Sequence, residues 1–164
     1  EPLEEGDIIS IDCGVNFEGF HADAARTFPV GNVSSEKLKL INVTKESFFE
    51  GIKDIKAGSK LGHISHRIQM HLEKNGYGVV RELVGHGIGE NLHEDPCVPN
   101  YGKYNGGVVL QEGMTLAIEP MSTLGKKDVY LEENDWTVTT CDGLASAHYE
   151  NTVLITAEGV EILT

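Results

Sequence analysis

Four carboxylate residues of this 164-residue chain lie in segments rich in apolar and β-branched residues, where acidic side chains are unexpected. They are Asp12, Asp23, Glu119 and Glu150. Burying carboxylates together is costly unless positive charge compensates them, and the chain has only 13 basic residues against 26 acidic ones. For each acid alone, a salt bridge or an exposed strand end is the simpler explanation. For all four together, the pattern favours a pair of divalent cations bound by carboxylate oxygens, an arrangement that recurs in hydrolytic enzymes.

The first two acids are predicted to lie on the same side of a β-hairpin. Asp7–Val15 and Phe20–Phe28 have the composition of strands, and the residues between them have the composition of a four-residue turn. With that turn, Asp12 lies directly opposite Asp23, where two like charges destabilise a sheet. Two alternatives remain open, namely a hairpin edge exposed to water or a shifted register in which Arg26 pairs with Asp23. Because side chains alternate between the faces of a strand, Arg26 and Asp23 should point in opposite directions, which argues against that pair.

Histidines add candidate nitrogen ligands for the same ions. His86 lies between glycines that allow a metal and the backbone to approach closely, and His93 follows seven residues later. His21 and His148 each lie two residues from a suspected acidic ligand and are candidates for supporting contacts. A solvated or hydrogen-bonded side chain is the simpler explanation for three histidines of a predicted helix, His63, His66 and His71. The sequence contains no HExxH, GxSxG or phosphate-binding loop motif, so it does not indicate a zincin, a serine hydrolase or a nucleotide-binding protein.

Two helices and several short strands should position these residues in an α+β fold with a mostly antiparallel sheet and flanking helices. Ser34 or Ser35 is a suitable N-cap for a first helix that continues to Gly58, with Leu38 on its apolar face. A second amphipathic helix is predicted over Leu61–Asn75. A glycine-rich stretch around Gly85–Gly89 follows, and after it a loop that contains Pro96 and Pro99 is predicted. Further strands are predicted over Thr115–Glu119, Val129–Leu131, Trp136–Cys141 and His148–Thr156.

Charge and cysteine usage limit the class of protein. The formal net charge of −13 disfavours a nucleic-acid or membrane-surface partner. The chain has no run of 18 apolar residues, and its first residues do not resemble a signal peptide, so no membrane-spanning helix is expected. Its three cysteines, Cys13, Cys97 and Cys141, form no CxxC pair, which favours a reducing, cytoplasmic setting.

In their sequence contexts, the four acids and His86 resemble the five metal ligands of the methionine aminopeptidases. The matching motifs are IDCG, HADAARTF, GHGIG, AIEPM and HYENT, which contain Asp12, Asp23, His86, Glu119 and Glu150 in that order. The spacings of 11, 63, 33 and 31 residues between them resemble the type I, bacterial-style branch of this family. The resemblance extends from about Gly6 to Thr164 and implies a pita-bread metallopeptidase fold, with residues 1–164 as one catalytic domain that is partial at its N-terminus.

The resemblance also implies a dinuclear metal centre. Asp12 would bind one ion, Asp23 and Glu150 would bridge both ions, and His86 and Glu119 would bind the other. A hydroxide between the two ions would attack the carbonyl group that follows the N-terminal methionine. The two ions would be divalent, and Mn, Fe, Co, Zn or Ni would each accept this ligand set.

Further roles are implied for residues around the metal centre. Glu119 would also transfer the proton, and His93 would hydrogen-bond the scissile peptide. Trp136 and Leu92 resemble residues of the methionine pocket. The substrates would be the N-terminal peptides of nascent proteins, which makes the ribosome a candidate partner.

The sequence departs from the family pattern in two respects. It lacks the hairpin and two helices that precede the equivalent of Gly6 in the family, so we expect an exposed sheet face that a second copy or a further segment would cover. Asn151 stands where the family usually has histidine, and the segment Arg26–Pro29 also resembles aminopeptidase P. Two alternatives therefore stay open, a prolyl aminopeptidase or dipeptidase of the same fold and a non-catalytic peptide-binding relative or truncated form.

Overall fold

The structure, a computed structural model, describes residues 2–164. Over these residues the chain forms two α-helices, α1 (Ser35–Ile52) and α2 (Leu61–Lys74), and twelve strands, most of them short. Every pair of named strands within this range is antiparallel. These features confirm the predicted α+β class. Neither helix of the described range is long and apolar enough to cross a membrane.

Helix α1 begins where the sequence predicts but ends earlier. Ser34 is its N-cap, and the Ser34 hydroxyl accepts a hydrogen bond from the backbone of the third helical residue. The helix ends at Ile52 rather than at the predicted Gly58, because Asp54 adopts a left-handed backbone conformation with φ of 57°. The predicted burial of Leu38 is also wrong, since 42% of this side chain is exposed.

Helix α2 follows the predicted pattern closely. Its buried apolar residues are Leu61, Ile64, Ile68 and Leu72, spaced three and four residues apart on one face. This face packs against α1, whose Phe48 is fully buried between the helices and the sheets. The two helices and the strands that carry the candidate site therefore share one hydrophobic core, which fixes the positions of these strands.

The N-terminal hairpin consists of β1 (Ile8–Phe17) and β2 (Phe20–Pro29). Only two residues connect the strands, Glu18 with φ of 50° and Gly19 with φ of 91°. Two consecutive positive φ angles are the geometry of a tight hairpin turn, which matches the twist of the flanking strands. The predicted four-residue turn is therefore wrong.

The shorter turn moves the register of the hairpin by two residues. Asp12 pairs with Ala25, and Asp23 pairs with Gly14, so the predicted direct pairing of Asp12 with Asp23 is wrong. Because side chains alternate with a period of two, a shift of two residues leaves both acids on the same face. The predicted shared face is thus confirmed, with the two carboxylates diagonal to each other.

The remaining strands form two sheets and a separate hairpin. In chain order they are β3 (Gly78–Val79), β4 (Gly85–Gly87), β5 (Glu94–Val98), β6 (Thr115–Ile118), β7 (Met121–Thr123), β8 (Val129–Leu131), β9 (Val138–Thr140), β10 (Ser146–His148), β11 (Asn151–Ile155) and β12 (Val160–Ile162). One sheet has the order β12–β11–β6–β4–β5, the other has the order β10–β7–β3, and β8 pairs with β9. Strand β8 has the predicted bounds.

Two strand predictions differ from the structure for identifiable reasons. The predicted strand His148–Thr156 is two strands, because the chain leaves one sheet after β10 and joins the other at β11. Strand β5 lies in the segment predicted as a loop, and its partner β4 lies in the glycine-rich stretch before it. Their low intrinsic β propensity is overcome by close pairing, since a Cβ atom at Gly87 would lie only 2.2 Å from the Asp95 carbonyl oxygen.

One face of the N-terminal hairpin carries exposed apolar side chains. Val15 and Ile11 are each 52% exposed, and Phe17 and Phe20 at the turn are 72% and 61% exposed. Strand β1 is exposed on both faces from Ser10 onward. The expected uncovered sheet face is therefore present in this chain.

Candidate metal centre

Neighbouring strands bring the five predicted ligands to one place. Asp12 and Asp23 lie on β1 and β2, and His86 lies in the middle of β4. Glu119 directly follows β6, and Glu150 lies where the chain passes from β10 to β11. Strand β6 is paired with both β4 and β11, and β2 contacts β6 and β11. The sheet order thus explains how residues more than 120 positions apart meet.

Three of these residues form a compact buried group. Ligand atoms of Asp23, His86 and Glu150 all lie within 4.8 Å of one another. Glu119 adjoins the group, with its Oε1 atom 3.7 Å from Nε2 of His86. Asp12 lies beside it, since it lines the same cleft as His86 and Glu119 and its charge raises the pKa of both Asp23 and Glu150. The structure therefore brings together all five residues that the sequence predicts as ligands.

Two carboxylates of this group, Glu150 and Asp23, hold protons more tightly than ordinary acids. Burial, followed by the negative charges of Glu119, Asp23 and Asp12, raises the pKa of Glu150 to about 9. Burial and the neighbouring Asp12 also raise the pKa of Asp23. Both shifts arise first from burial and then from neighbouring negative charge, which Arg26 only partly offsets at Glu150. Divalent cations would balance this negative charge.

The residues present fit divalent cations by their chemistry and their unsatisfied atoms. Oε2 of Glu150 is buried and has no hydrogen-bond partner among residues 2–164. Nδ1 of His86 donates a hydrogen bond to the Gly87 carbonyl oxygen at 2.8 Å, which leaves Nε2 of the neutral ring unprotonated and free to bind a metal. Carboxylate oxygens with one imidazole nitrogen suit Mn, Fe, Co, Zn or Ni.

A threonine network that the sequence analysis did not predict fixes the backbone at Asp23. The Thr152 hydroxyl accepts a hydrogen bond from the Asp23 N–H at 2.8 Å and donates one to the Asp23 carbonyl oxygen at 3.0 Å. The Thr164 hydroxyl donates to the same carbonyl oxygen at 3.2 Å and accepts from the Thr152 N–H at 3.0 Å. Strand β11 thereby holds the Asp23 backbone in place. The sequence offers one signal for this contact, namely that Thr152 directly follows the HYEN segment.

The alternative in which Arg26 neutralises Asp23 does not agree with the structure. The Arg26 guanidinium donates to the carbonyl oxygens of Ala25 and Glu150 and to the Asn151 side chain instead. Of the two ambiguous histidines, His148 lies at the site, with its Nε2 atom 3.4 Å from Oε2 of Glu119. The His21 side chain is hydrogen-bonded to Asn16 near the hairpin turn.

An open cleft of about 730 Å³ adjoins the five predicted ligands, which we call the metal group. Asp12, His86 and Glu119 line it, and so does His93, whose ring centroid lies 4.4 Å from that of His86. Asp95 and Cys97 lie on the cleft side of β5, two and four residues after His93. The cleft therefore gives a peptide access to the predicted ligands and to His93.

Two residues predicted for substrate binding lie apart from this cleft. Trp136 is in the turn between β8 and β9 and is 86% exposed. Leu92 packs against β1, where its Cδ1 atom would lie 3.3 Å from a Cβ atom at Gly14. Neither side chain is among the described residues that line the cleft. Their roles in substrate binding stay predictions.

Comparisons with known proteins agree with the resemblance seen in the sequence. The sequence pattern of Metallopeptidase family M24 matches residues 1–157. A methionine aminopeptidase of Clostridium acetobutylicum is 57% identical over 162 residues, which are 99% of this chain and 65% of that protein. Methionine aminopeptidase 1 of Bacillus subtilis is 50% identical over the same share of each chain. This chain thus spans just under two thirds of the length of these relatives.

A solved structure supports the same relationship. The crystal structure of methionine aminopeptidase from Thermotoga maritima superposes with a TM-score of 0.96 at 49% identity, covering 99% of this chain and 65% of that one. The predicted pita-bread fold is thereby confirmed, as is the resemblance to methionine aminopeptidases. The family is one of metal-dependent peptidases, in agreement with the buried group of Asp23, His86 and Glu150. The chain therefore belongs to metallopeptidase family M24.

Proposed function

We propose that this chain carries the catalytic centre of an aminopeptidase that removes the N-terminal methionine of nascent proteins. The observation that carries the proposal is the meeting of four carboxylates and His86 beside an open cleft. The relatives named methionine aminopeptidase, at 50% and 57% identity, support the choice of substrate over the prolyl-specific alternative.

The proposed centre holds two divalent ions. Asp12, Asp23, His86, Glu119 and Glu150 would hold these ions, with Asp23 and Glu150 at the centre of the buried group. When bound, such ions activate water and polarise the carbonyl group of a peptide. Burial and the neighbouring carboxylates raise the pKa of Glu150 to about 9. Two divalent ions would balance this negative charge, which supports the arrangement.

Glu119 and His93 carry the proposed proton transfer and substrate contacts. The Glu119 carboxylate lies at the cleft between two imidazoles, 3.7 Å from Nε2 of His86 and 3.4 Å from Nε2 of His148. From there it takes up a proton and returns it to the departing amine. His93 faces the cleft and donates a hydrogen bond to the scissile peptide.

The acidic lining of the cleft suits the positively charged N-terminus of a peptide. Glu94 and Asp95 line it and are not among the proposed metal ligands. We propose that Leu92 and Trp136 contact the methionine side chain once the exposed hairpin face is covered.

The wider context of the protein follows from the same proposal. Residues 1–164 form one catalytic domain that acts in the cytoplasm on chains emerging from the ribosome. A second copy, or a further segment of a longer chain, covers the face that displays Val15, Phe17 and Phe20, because a contiguous apolar surface is rarely left in water.

A peptide assay tests the proposed activity. The full chain is incubated with Met-Ala-Ser and with Mn²⁺ or Co²⁺, and free methionine is measured by mass spectrometry. We expect methionine release that EDTA abolishes, and no release from acetyl-Met-Ala-Ser, which lacks the charged amine. Metal binding without release from Met-Ala-Ser would contradict the proposal for this chain.

A further inference from the structure

Two residues that the sequence analysis singled out are in contact with each other. Arg26 begins the segment that also resembles aminopeptidase P, and Asn151 stands where the family usually has histidine. Nη2 of Arg26 donates a hydrogen bond to Oδ1 of Asn151 at 2.6 Å. Their contact joins β2 to the start of β11, immediately beside Glu150.

The Arg26 side chain contacts three consecutive residues around the metal group. Besides Asn151, its guanidinium donates to the carbonyl oxygen of Glu150 and lies 4.2 Å from the ring centroid of Tyr149. Nη1 also donates to the carbonyl oxygen of Ala25 at 2.8 Å. One planar side chain thus connects the backbone of β2 with the segment 149–151.

Backbone contacts continue the same connection. The Glu150 N–H donates to the Ala25 carbonyl oxygen at 2.9 Å, and Arg26 and Tyr149 form an isolated antiparallel bridge. Glu150 and Asn151 are each only 1% exposed. Because these polar groups are buried, the loss of the guanidinium would take away the donor to the Glu150 carbonyl oxygen and to Oδ1 of Asn151, and the segment would move to satisfy them.

We propose that Arg26 and Asn151 are positioning residues that fix the Glu150 carboxylate relative to that of Asp23. The geometry they impose sets the affinity of the centre for the ion that Asp23 and Glu150 hold together. This inference rests on the proposed metal centre but not on the proposed peptidase activity.

The sign of one effect separates positioning from simple electrostatics. A guanidinium near the site repels an incoming cation, so the loss of its charge alone would tighten metal binding. The loss of a positioning contact next to a metal ligand instead weakens binding, typically by about 10- to 100-fold. The two explanations therefore predict opposite changes for the same substitution.

The test is a Co²⁺ titration of the full chain by equilibrium dialysis, with the visible absorption of bound Co²⁺ as a second readout. We expect Arg26→Met to weaken the tightest-bound ion by about tenfold or more, and Asn151→Ala to weaken it by a smaller factor. Arg26→Lys should restore little, because an ammonium group cannot donate to both Glu150 and Asn151 in the planar geometry of Arg26. The double variant Arg26→Met with Asn151→Ala should bind no more weakly than Arg26→Met alone, since the two residues act as one unit.

Arg67→Met is the matched control. Arg67 is likewise half-buried and donates to a main-chain carbonyl oxygen, that of Lys53, but it lies on α2 away from the metal group. Its substitution should leave Co²⁺ affinity and absorption unchanged. Affinity in Arg26→Met or Asn151→Ala equal to or tighter than that of the unaltered chain would overturn the inference. Should Arg26→Met fail to fold, Asn151→Ala decides alone, because it removes the Oδ1 acceptor of the Arg26 contact together with an Nδ2 group that has no partner among residues 2–164.

A failure of the proposed function is distinguishable from a failure of this inference. If the unaltered chain binds Co²⁺ but releases no methionine, the activity is contradicted while the expected order of affinities still supports the inference. If the unaltered chain binds no Co²⁺, both are overturned.

Discussion

Glu119→Gln should lower the rate of methionine release by about 10³-fold or more, because glutamine cannot accept and return a proton. The same substitution weakens a predicted ligand of one ion, so both the proton transfer and the metal centre are affected. Glu119 lies at the cleft, next to His86 and His148. Among the residues that line the cleft, it is the one carboxylate that contacts both imidazoles. We therefore expect this substitution to have the largest effect on turnover.

The measurement is kcat for Met-Ala-Ser with saturating Mn²⁺, so that reduced metal affinity does not mimic a chemical defect. Glu112→Gln is the matched control, because Glu112 is exposed in the turn before β6, at the opposite end of the strand that Glu119 follows. The control should keep a normal rate. A near-normal rate in Glu119→Gln would contradict the assignment of Glu119 as the proton carrier.

Added Mn²⁺ should raise the melting temperature by about 10 °C at pH 8. An ion present at a thousandfold excess over its dissociation constant stabilises the folded state by about 4 kcal/mol, and in a domain of this size each kcal/mol raises the melting temperature by about 2–4 °C. The effect should be smaller at pH 6, because the ions must displace protons from Glu150 and Asp23, both of which have raised pKa values.

The metal-free protein should show the opposite dependence on pH. The pKa of Glu150 is raised from 4.5 to about 9 in the folded state, so the folded state binds the proton more tightly than the unfolded state. This contribution to stability is fully present below pH 4.5 and is lost as the pH rises through 9. Glu150→Gln should remove most of this pH dependence in EDTA and should also remove most of the stabilisation by Mn²⁺. Identical melting temperatures in Mn²⁺ and in EDTA at pH 8 would show that the carboxylate group is not a metal centre.

The sequence predicts the shared face of Asp12 and Asp23 even though it predicts the wrong turn. Strand side chains repeat every two residues, so a register error of two residues exchanges the facing partners but keeps both acids on one face. An error of one residue would have separated them. The two acids share a face whenever the turn has an even number of residues. The composition of the turn did not show whether that number is two or four.

The residues that hold the site together were harder to predict than the residues that form it. Thr152 and Arg26 act through hydrogen bonds to main-chain atoms that are 129 and 124 positions away in the chain, respectively. Such contacts depend on which strands become neighbours, and the passage of the chain from one sheet to the other near Glu150 has no local sequence signal. The ligands, by contrast, are acidic residues in apolar strands, and that conflict is visible in the sequence alone.

The roles of Trp136 and Leu92 illustrate another limit. Both were predicted from the resemblance alone, and the structure places one at a hairpin tip and the other against β1. A strongly apolar residue in a short two-stranded hairpin has no core of its own to face. Its position is determined by whatever packs against the hairpin, which local composition does not encode.

The number of metal ions bound per chain tests the central claim most directly. The full chain is dialysed to equilibrium against Mn²⁺ at pH 8, and the bound metal is counted by inductively coupled plasma mass spectrometry. We expect two ions per chain, and almost none in a variant that combines Asp23→Asn, His86→Ala and Glu150→Gln. Absence of bound metal in the unaltered chain, or two ions retained by the triple variant, would contradict the claim.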